Sequence, residues 1–164
     1  MESIRKYALK IAGVIFIALA VNRVVLYFRD MMFYGLNQNT LTYYLLTASY
    51  IVFGIYSLFS KNRYIGLMIG SIAYTLATFF NLYEFTDWLI LAGSILLVVV
   101  LVMLYKGNPA LLQTVWFIPA ALVFAGFFIY DLKYGFGYLQ FKDLLIYFEP
   151  IGLLLICLGL TDLQ

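Results

Sequence analysis

Six long apolar runs, separated by short polar connections, constrain the fold of this chain more than any other feature. They span residues 7–28, 41–60, 64–83, 88–105, 113–130 and 144–161. Each run approaches the length of about 20 apolar residues that an α-helix needs to cross a bilayer. The runs lack the period-two alternation of barrel strands. The sequence therefore predicts an all-α integral membrane bundle of six transmembrane helices.

The composition supports this interpretation, because 65% of the 164 residues are hydrophobic and 11% are charged. A soluble domain has about 25% charged residues, and this chain has too few polar side chains to cover a soluble surface. Short connections make sequential helices antiparallel neighbours, and the two longest connections span residues 29–40 and 131–143. No linker divides the chain, so residues 1–164 are predicted to form a single transmembrane helical domain.

The distribution of basic residues predicts the orientation. If the connections alternate between two sides, the side of the N-terminus holds Arg5, Lys6, Lys10, Lys61, Arg63 and Lys106. The other side holds Arg29, Lys133, Lys142, Asp30, Glu84, Asp87, Asp131 and Asp143. Lysine and arginine are enriched in cytoplasmic connections. Both termini are therefore predicted to be cytoplasmic, in a plasma-membrane protein, and the opposite side is the outer side.

Two opposite charges are predicted inside the membrane. Arg23 precedes the outer end of the first run, and Glu149 follows the outer start of the sixth. At 1.5 Å per residue, both lie about 9 Å below the outer boundary. Because a charge in a membrane helix is costly, either the two side chains interact, directly or through water, or Arg23 reaches the outer surface alone. Pro150 removes a backbone donor beside Glu149, which predicts a kink or an open carbonyl in the sixth helix.

The third run carries two adjacent stripes at helical spacing. Its small residues are Gly66, Gly70, Ala73 and Ala77. Such a stripe lets two helices approach closely, either within the bundle or between two copies of the chain. Its polar residues are Ser71, Thr75, Thr78 and Asn81. The polar stripe either lines a cavity or consists of hydroxyls that bond back to their own helix.

Aromatic residues collect with the acidic residues in the outer half. An interfacial belt accounts for aromatic residues at that depth, whereas aromatic and acidic side chains together can hold a cationic or ring-shaped ligand. The candidate ligand-binding residues are Arg23, Asn81, Glu84, Trp88 and Glu149. The predicted site lies between the first, third and sixth helices, just beneath the outer surface.

The sequence lacks the residues that several kinds of catalytic and metal-binding site require. The chain has no histidine, which excludes a serine–histidine pair, a haem histidine and a zinc-binding HExxH motif. The single cysteine, Cys157, excludes a CxxC thiol pair. Asp87 and Asp131 are the one candidate pair of catalytic acids, and solvated loop charges are the alternative interpretation. We therefore predict no enzymatic activity, cofactor, metal site or nucleic-acid partner.

The predicted topology is similar to that of the substrate-binding subunits of energy-coupling-factor vitamin transporters. Those subunits are also small and six-helical, with both termini inside and an outer pocket capped by loops. That family commonly carries an Ala-x-x-x-Ala contact on the first helix. This chain departs from that spacing. Phe16 stands four residues after Ala12 and four before Ala20, and Asn22 stands four residues after Ala18.

The resemblance implies a substrate-binding or transport subunit with an outward-facing pocket. The alternative is a non-transporting accessory or scaffold subunit of a larger membrane complex. The expected partners are the lipid bilayer, a small-molecule ligand and a membrane protein. Clustering of Arg23, Asn81 and Glu149 around one cavity distinguishes the first function from the second.

Overall fold

The computed structural model describes residues 2–34, 40–59, 63–107, 115–134 and 145–161. These residues form six α-helices and no strand. The helices are α1 (Glu2–Tyr34), α2 (Thr40–Leu58), α3 (Arg63–Phe79), α4 (Phe85–Tyr105), α5 (Ile118–Tyr134) and α6 (Phe148–Thr161), the last preceded by a 3-10 turn (Leu145–Tyr147). The predicted all-α fold with six helices is confirmed.

Several helix ends differ from the predicted ones, most clearly the last residues of α1 and α3. α1 continues to Tyr34, so the first residues of the predicted connection 29–40 are helical instead. α3 ends at Phe79, although the apolar run continues beyond it. The predicted helix starts at Gln113 and Leu144 lie outside the described residues.

The start of α4 is set by a polar cap. Asp87 accepts hydrogen bonds of 2.8 Å from the backbone N–H groups of Tyr83 and Glu84. A carboxylate at this place satisfies N–H groups that have no partner within the helix, and the helix dipole favours its charge. α4 therefore begins at Phe85, before the apolar run that predicted it.

The six helices form a closed ring in chain order, because each packs against the next and α6 packs against α1. The α1–α6 contact shows its direction at two glycines: Gly152 lies against Phe16, and Gly159 lies against Leu9. The higher number on one helix faces the lower number on the other, so these two helices are antiparallel. The same reversal relates α1 to α2 and α4 to α5.

The antiparallel order gives the bundle two chemically different ends. At one end, which we call the acidic end, α1, α3 and α5 finish and α2, α4 and α6 begin. The acidic end carries Glu84, Asp87, Asp131, Lys133 and Glu149. The opposite, basic end carries Lys10, Arg63 and Lys106. The described side chains thus follow the charge segregation seen in the sequence.

The outward faces of the bundle are apolar. Exposed aliphatic side chains include Ile11 and Val14 on α1, Ile51 on α2, Ile72 on α3, Ile95 on α4 and Ile151 on α6. Among the described residues, Tyr7–Leu26, Leu41–Leu58 and Phe85–Tyr105 are long and apolar enough to cross a membrane. The apolar segment Leu145–Thr161 is shorter.

The small-residue stripe of α3 packs inside the bundle. A Cβ atom on Gly66 would lie 2.0 Å from the Tyr56 ring, and one on Gly70 would lie 2.9 Å from the Phe53 ring. Both rings belong to α2, which fits against α3 because these two positions carry no side chain. The interpretation of the stripe as packing within the bundle is confirmed for Gly66 and Gly70.

Candidate ligand-binding site

Glu149 lies in the first turn of α6, and its side chain is 2% exposed. The 3-10 turn leads directly into this helix, whose N-terminal dipole favours a negative charge. Pro150 follows in the same turn, where backbone N–H groups lack an intrahelical acceptor anyway. Pro150 therefore lies at the start of α6, which continues to Thr161, and the kink or open carbonyl expected beside Glu149 stays a prediction.

Two buried tyrosines donate hydrogen bonds to the Glu149 carboxylate. Tyr50 on α2 donates to Oε2, and Tyr74 on α3 donates to Oε1. Both tyrosines are 1% exposed. Hydrogen bonds to an ionised acceptor are about twice as strong as those between neutral groups. Such bonds offset part of the free-energy cost of removing a carboxylate from water. Three helices thus converge on one acidic group.

Arg23 joins this group through Tyr50. Its guanidinium carbon lies 5.6 Å from the centroid of the Tyr50 ring, and the hydroxyl of the same ring contacts Glu149. Among the side chains that the structure describes, no carboxylate lies within 4.0 Å of the Arg23 nitrogens. The two opposite charges are therefore linked through a tyrosine and not by a direct salt bridge. We call Arg23, Tyr50, Tyr74 and Glu149 the buried network.

Aromatic packing fixes the two tyrosines. The Phe16 ring lies 5.7 Å from the Tyr50 ring, and the Phe53 ring lies 6.3 Å from the Tyr74 ring, measured between centroids. Phe16 and Phe53 contact each other at 4.9 Å. Tilted aromatic pairs at these separations are favourable beyond the apolar area they bury. The hydroxyls are therefore held toward Glu149 by rings that are themselves fully buried.

A cavity of about 340 Å³ lies beside the buried network. Every one of the six helices contributes to its lining. Its buried part includes Tyr74 and Glu149, and its lining also contains the exposed residues Asn81, Tyr83 and Tyr130. The cavity therefore reaches the surface at the acidic end. Its volume lies in the range of about 300–1,000 Å³ that is typical of small-molecule sites.

Four of the five predicted ligand-binding residues line this cavity: Arg23, Asn81, Glu84 and Glu149. The fifth, Trp88, is not part of the lining, and its side chain is 58% exposed. The face of α4 that lines the cavity carries Thr86, Asp87 and Ile90. The structure thus brings four predicted residues to one place, and their binding of a ligand stays a prediction.

The polar stripe of α3 was expected either to line a cavity or to bond back to its own helix, and each interpretation holds for part of it. Ser71, Thr75 and Thr78 donate hydrogen bonds of 2.7–2.9 Å to carbonyl oxygens of their own helix. Thr78 also lies 3.2 Å from the hydroxyl of Ser94 on α4. Thr78 and Asn81 belong to the cavity lining as well. The stripe therefore bonds back along most of α3 and becomes a cavity wall near its end.

An ion pair links α5 to the start of α4 at the acidic end. The Lys133 ammonium lies 3.1 Å from Oε2 of Glu84, and the Tyr134 hydroxyl donates to Oε1. The hydrogen bond from Tyr134 lowers the pKa of the Glu84 carboxyl below its usual value, and the hydrogen bond from Lys133 adds a smaller effect in the same direction. Because the pair is solvent-exposed, it contributes little stability, but it occupies the Glu84 carboxylate.

Two further acidic residues that the structure describes at this end, Asp87 and Asp131, have structural partners. Asp87 caps α4 as described above, and Asp131 accepts a hydrogen bond from the Tyr147 hydroxyl. Each carboxylate thus stabilises a helix end or a connection.

Sequence reasoning did not single out Tyr50 and Tyr74, which complete the site. Attention went to the aromatic residues of the outer half, which an interfacial belt explains. Tyr50, however, lies in the middle of α2 and far from either end. A hydroxyl at mid-helix in an apolar run needs a partner inside the bundle, and that position was the available signal.

No protein-family model matches the chain, and neither a curated protein nor a solved structure is detectably similar to it. Its function is therefore argued from the geometry of the cavity and of the buried network.

Proposed function

We propose that this protein is an integral membrane protein of six transmembrane helices that binds a small molecule in the cavity at its acidic end. We propose further that both termini face the cytoplasm, that the cavity faces outward from the plasma membrane, and that the chain acts as a substrate-binding or transport subunit. The observation that carries the proposal is a cavity whose lining includes a buried carboxylate and a guanidinium.

The membrane assignment draws support from the exterior of the bundle. Its outward faces are apolar on α1, α2, α3, α4 and α6, and three helices have the length and hydropathy of membrane spans. α3 and α5 have 17 residues each, a length of about 26 Å at 1.5 Å per residue. A bilayer adapts to such helices by modest local thinning. The charges that a membrane excludes are concentrated at the two ends.

The binding assignment draws support from the interior. Ionisable groups within membrane helices are costly, and they usually mark a ligand or ion pathway. A scaffold subunit that uses only its outer faces needs neither a cavity nor a buried carboxylate. Here Arg23 and Glu149 lie in the lining of the same cavity, next to hydroxyl groups from α3 and α4.

Native mass spectrometry of the gently solubilised full-length protein tests this proposal. We expect the wild-type protein to retain a small molecule, and we expect Thr78→Phe to lose it because the larger ring occupies the cavity. Leu76→Phe is the matched control, since Leu76 lies on the same helix with its side chain 44% exposed on the outer face. Thermal unfolding of both variants confirms that they are folded.

Three results would contradict the proposal. One is a bound molecule that both phenylalanine variants retain equally, which places it outside the cavity. Another is the absence of any retained molecule in all three proteins. The third is a stoichiometric protein partner in place of a small molecule, which supports the scaffold function instead.

A further inference from the structure

The charges around the cavity are unequal. Among the residues that the structure describes, the lining contains one basic residue, Arg23, and three acidic residues, Glu84, Asp87 and Glu149. Lys133 offsets one of the acidic charges by pairing with Glu84. A bound cation reduces the remaining excess of negative charge, whereas a bound anion increases it. A cavity lined mainly by one sign of charge also concentrates ligands of the opposite sign.

The described residues use only part of the hydrogen-bonding capacity of Glu149. Each carboxylate oxygen accepts one hydrogen bond from a tyrosine. An ionised carboxylate has about four acceptor positions, so about half of them are available to another donor. Arg23 lies over the ring of Tyr50 and forms no ion pair within 4.0 Å with this group. A donor from a ligand in the cavity can therefore reach the carboxylate without displacing a cation.

The hydroxyl of Thr86 is a second, independent indication that a ligand with hydrogen-bonding groups fits the cavity. It lines the cavity, it is 3% exposed, and its Oγ1 atom has no hydrogen-bond partner among the described residues. A buried hydroxyl without a partner destabilises a protein, because nothing compensates for the water that it has lost. A ligand N–H group beside Thr86 would remove that penalty.

Aromatic side chains form part of the remaining wall, beside aliphatic ones. Tyr74, Phe127 and Tyr130 line the same cavity and come from two different helices, α3 and α5. Aromatic faces attract cations and stack on flat apolar groups. Their presence favours a ligand with a ring or another compact apolar body.

From these observations we propose that the ligand is a small protonated amine with an apolar or aromatic body, whose ammonium group donates to Glu149 and to Thr86. This inference rests on the proposed function, which it deepens by naming the ligand class. A quaternary ammonium has the same charge but no N–H donors, so it satisfies neither residue. The structure therefore predicts discrimination between two cations of equal charge.

Isothermal titration calorimetry of the full-length protein in mild detergent tests this inference with four one-ring probes. The probes are benzylammonium, benzyltrimethylammonium, benzyl alcohol and benzoate. We expect benzylammonium to bind most tightly, about tenfold or more tighter than the quaternary cation, because it alone donates charged hydrogen bonds. We expect the alcohol and benzoate to bind more weakly than either cation.

Substitutions connect that preference to the named residues. We expect Glu149→Gln to weaken benzylammonium binding about tenfold or more. Asp131→Asn is the matched control and leaves binding unchanged, because Asp131 lies at the same end but outside the cavity lining. Thr86→Val keeps the side-chain shape and should weaken benzylammonium a few-fold without affecting the quaternary cation. Since Thr86→Val removes a hydroxyl that has no partner, it decides the question even if Glu149→Gln fails to fold.

The inference is overturned if benzoate binds more tightly than benzylammonium, if Glu149→Gln and Thr86→Val leave amine binding unchanged, or if no probe binds. These failures are distinguishable from failure of the proposed function. Loss of the retained molecule in Thr78→Phe, together with no amine binding, keeps the ligand-binding function and refutes the ligand class. Equal retention in Thr78→Phe and Leu76→Phe refutes the function itself.

Discussion

Reversing either charge of the buried network is expected to destabilise the folded protein by about 3–5 kcal/mol, the range observed when one partner of a buried charge pair is lost. Arg23→Glu would place two carboxylates beside Tyr50, and Glu149→Arg would place two guanidinium groups there. The free energy of unfolding of the purified protein, measured by denaturant titration in micelles, reports the loss. Lys106→Glu, an exposed reversal at the basic end, should change it by less than about 0.5 kcal/mol.

The charge-swapped double variant, with Arg23→Glu and Glu149→Arg together, should be more stable than either single variant. A tyrosine hydroxyl both donates and accepts, so Tyr50 and Tyr74 can serve an arginine at position 149 as acceptors. The double variant will regain only part of the lost stability, because arginine is larger than glutamate and position 149 is buried, with Glu149 2% exposed. If the free energy of unfolding of the double variant is no higher than those of the single variants, Arg23 and Glu149 are not coupled.

Substituting valine for Gly93 is expected to destabilise the protein by about 3 kcal/mol, at the upper end of ordinary overpacking. A Cβ atom on Gly93 would lie 2.7 Å from the carbonyl oxygen of Pro119 and 2.9 Å from a methyl group of Val123. The first of these atoms belongs to the backbone of α5 and cannot move as a side chain does. α4 and α5 would therefore have to separate, and α5 supplies Phe127 and Tyr130 to the cavity.

The neighbouring position gives the control for this substitution. Ala92 lies on the same helix and is exposed, so Ala92→Val introduces the same side chain without meeting α5. Its effect should stay within about 0.5 kcal/mol, which is the cost of a β-branched residue in a helix. Equal destabilisation by the two substitutions would show that close contact between α4 and α5 is not what makes Gly93 necessary.

The large features of this fold could be predicted from the sequence because they follow from hydropathy. Six apolar runs gave six helices, and the charges of the connections gave two ends of different character. The helix boundaries were less predictable, since hydropathy does not report capping. Asp87 starts α4 before its apolar run, and α1 continues through the polar residues beyond its own run.

The candidate site was only partly predictable because its geometry depends on rotation about the helix axes. Arg23 and Glu149 attracted attention as charges in apolar runs, and both line the cavity. Trp88 was chosen for its depth and its type, but α4 turns it outward. The position of Tyr50 in the middle of its run indicated a partner inside the bundle, but identifying Glu149 as that partner required knowing which helices are neighbours.

The central claim is that the bundle lies in a membrane and that its cavity is open to water at the acidic end. Cysteine accessibility in intact cells tests both parts at once, on a Cys157→Ala background that removes the single native thiol. Thr78→Cys places a thiol on the cavity wall, and Leu76→Cys places one on the exposed apolar face of the same helix. The reagent is a small, membrane-impermeant thiosulfonate added from outside, which reacts with thiolates in water.

We predict that Thr78→Cys is modified and that Leu76→Cys, surrounded by lipid, is not. Modification of both thiols at the same rate would contradict the membrane-embedded bundle, and protection of both would contradict a cavity that is open to the outside.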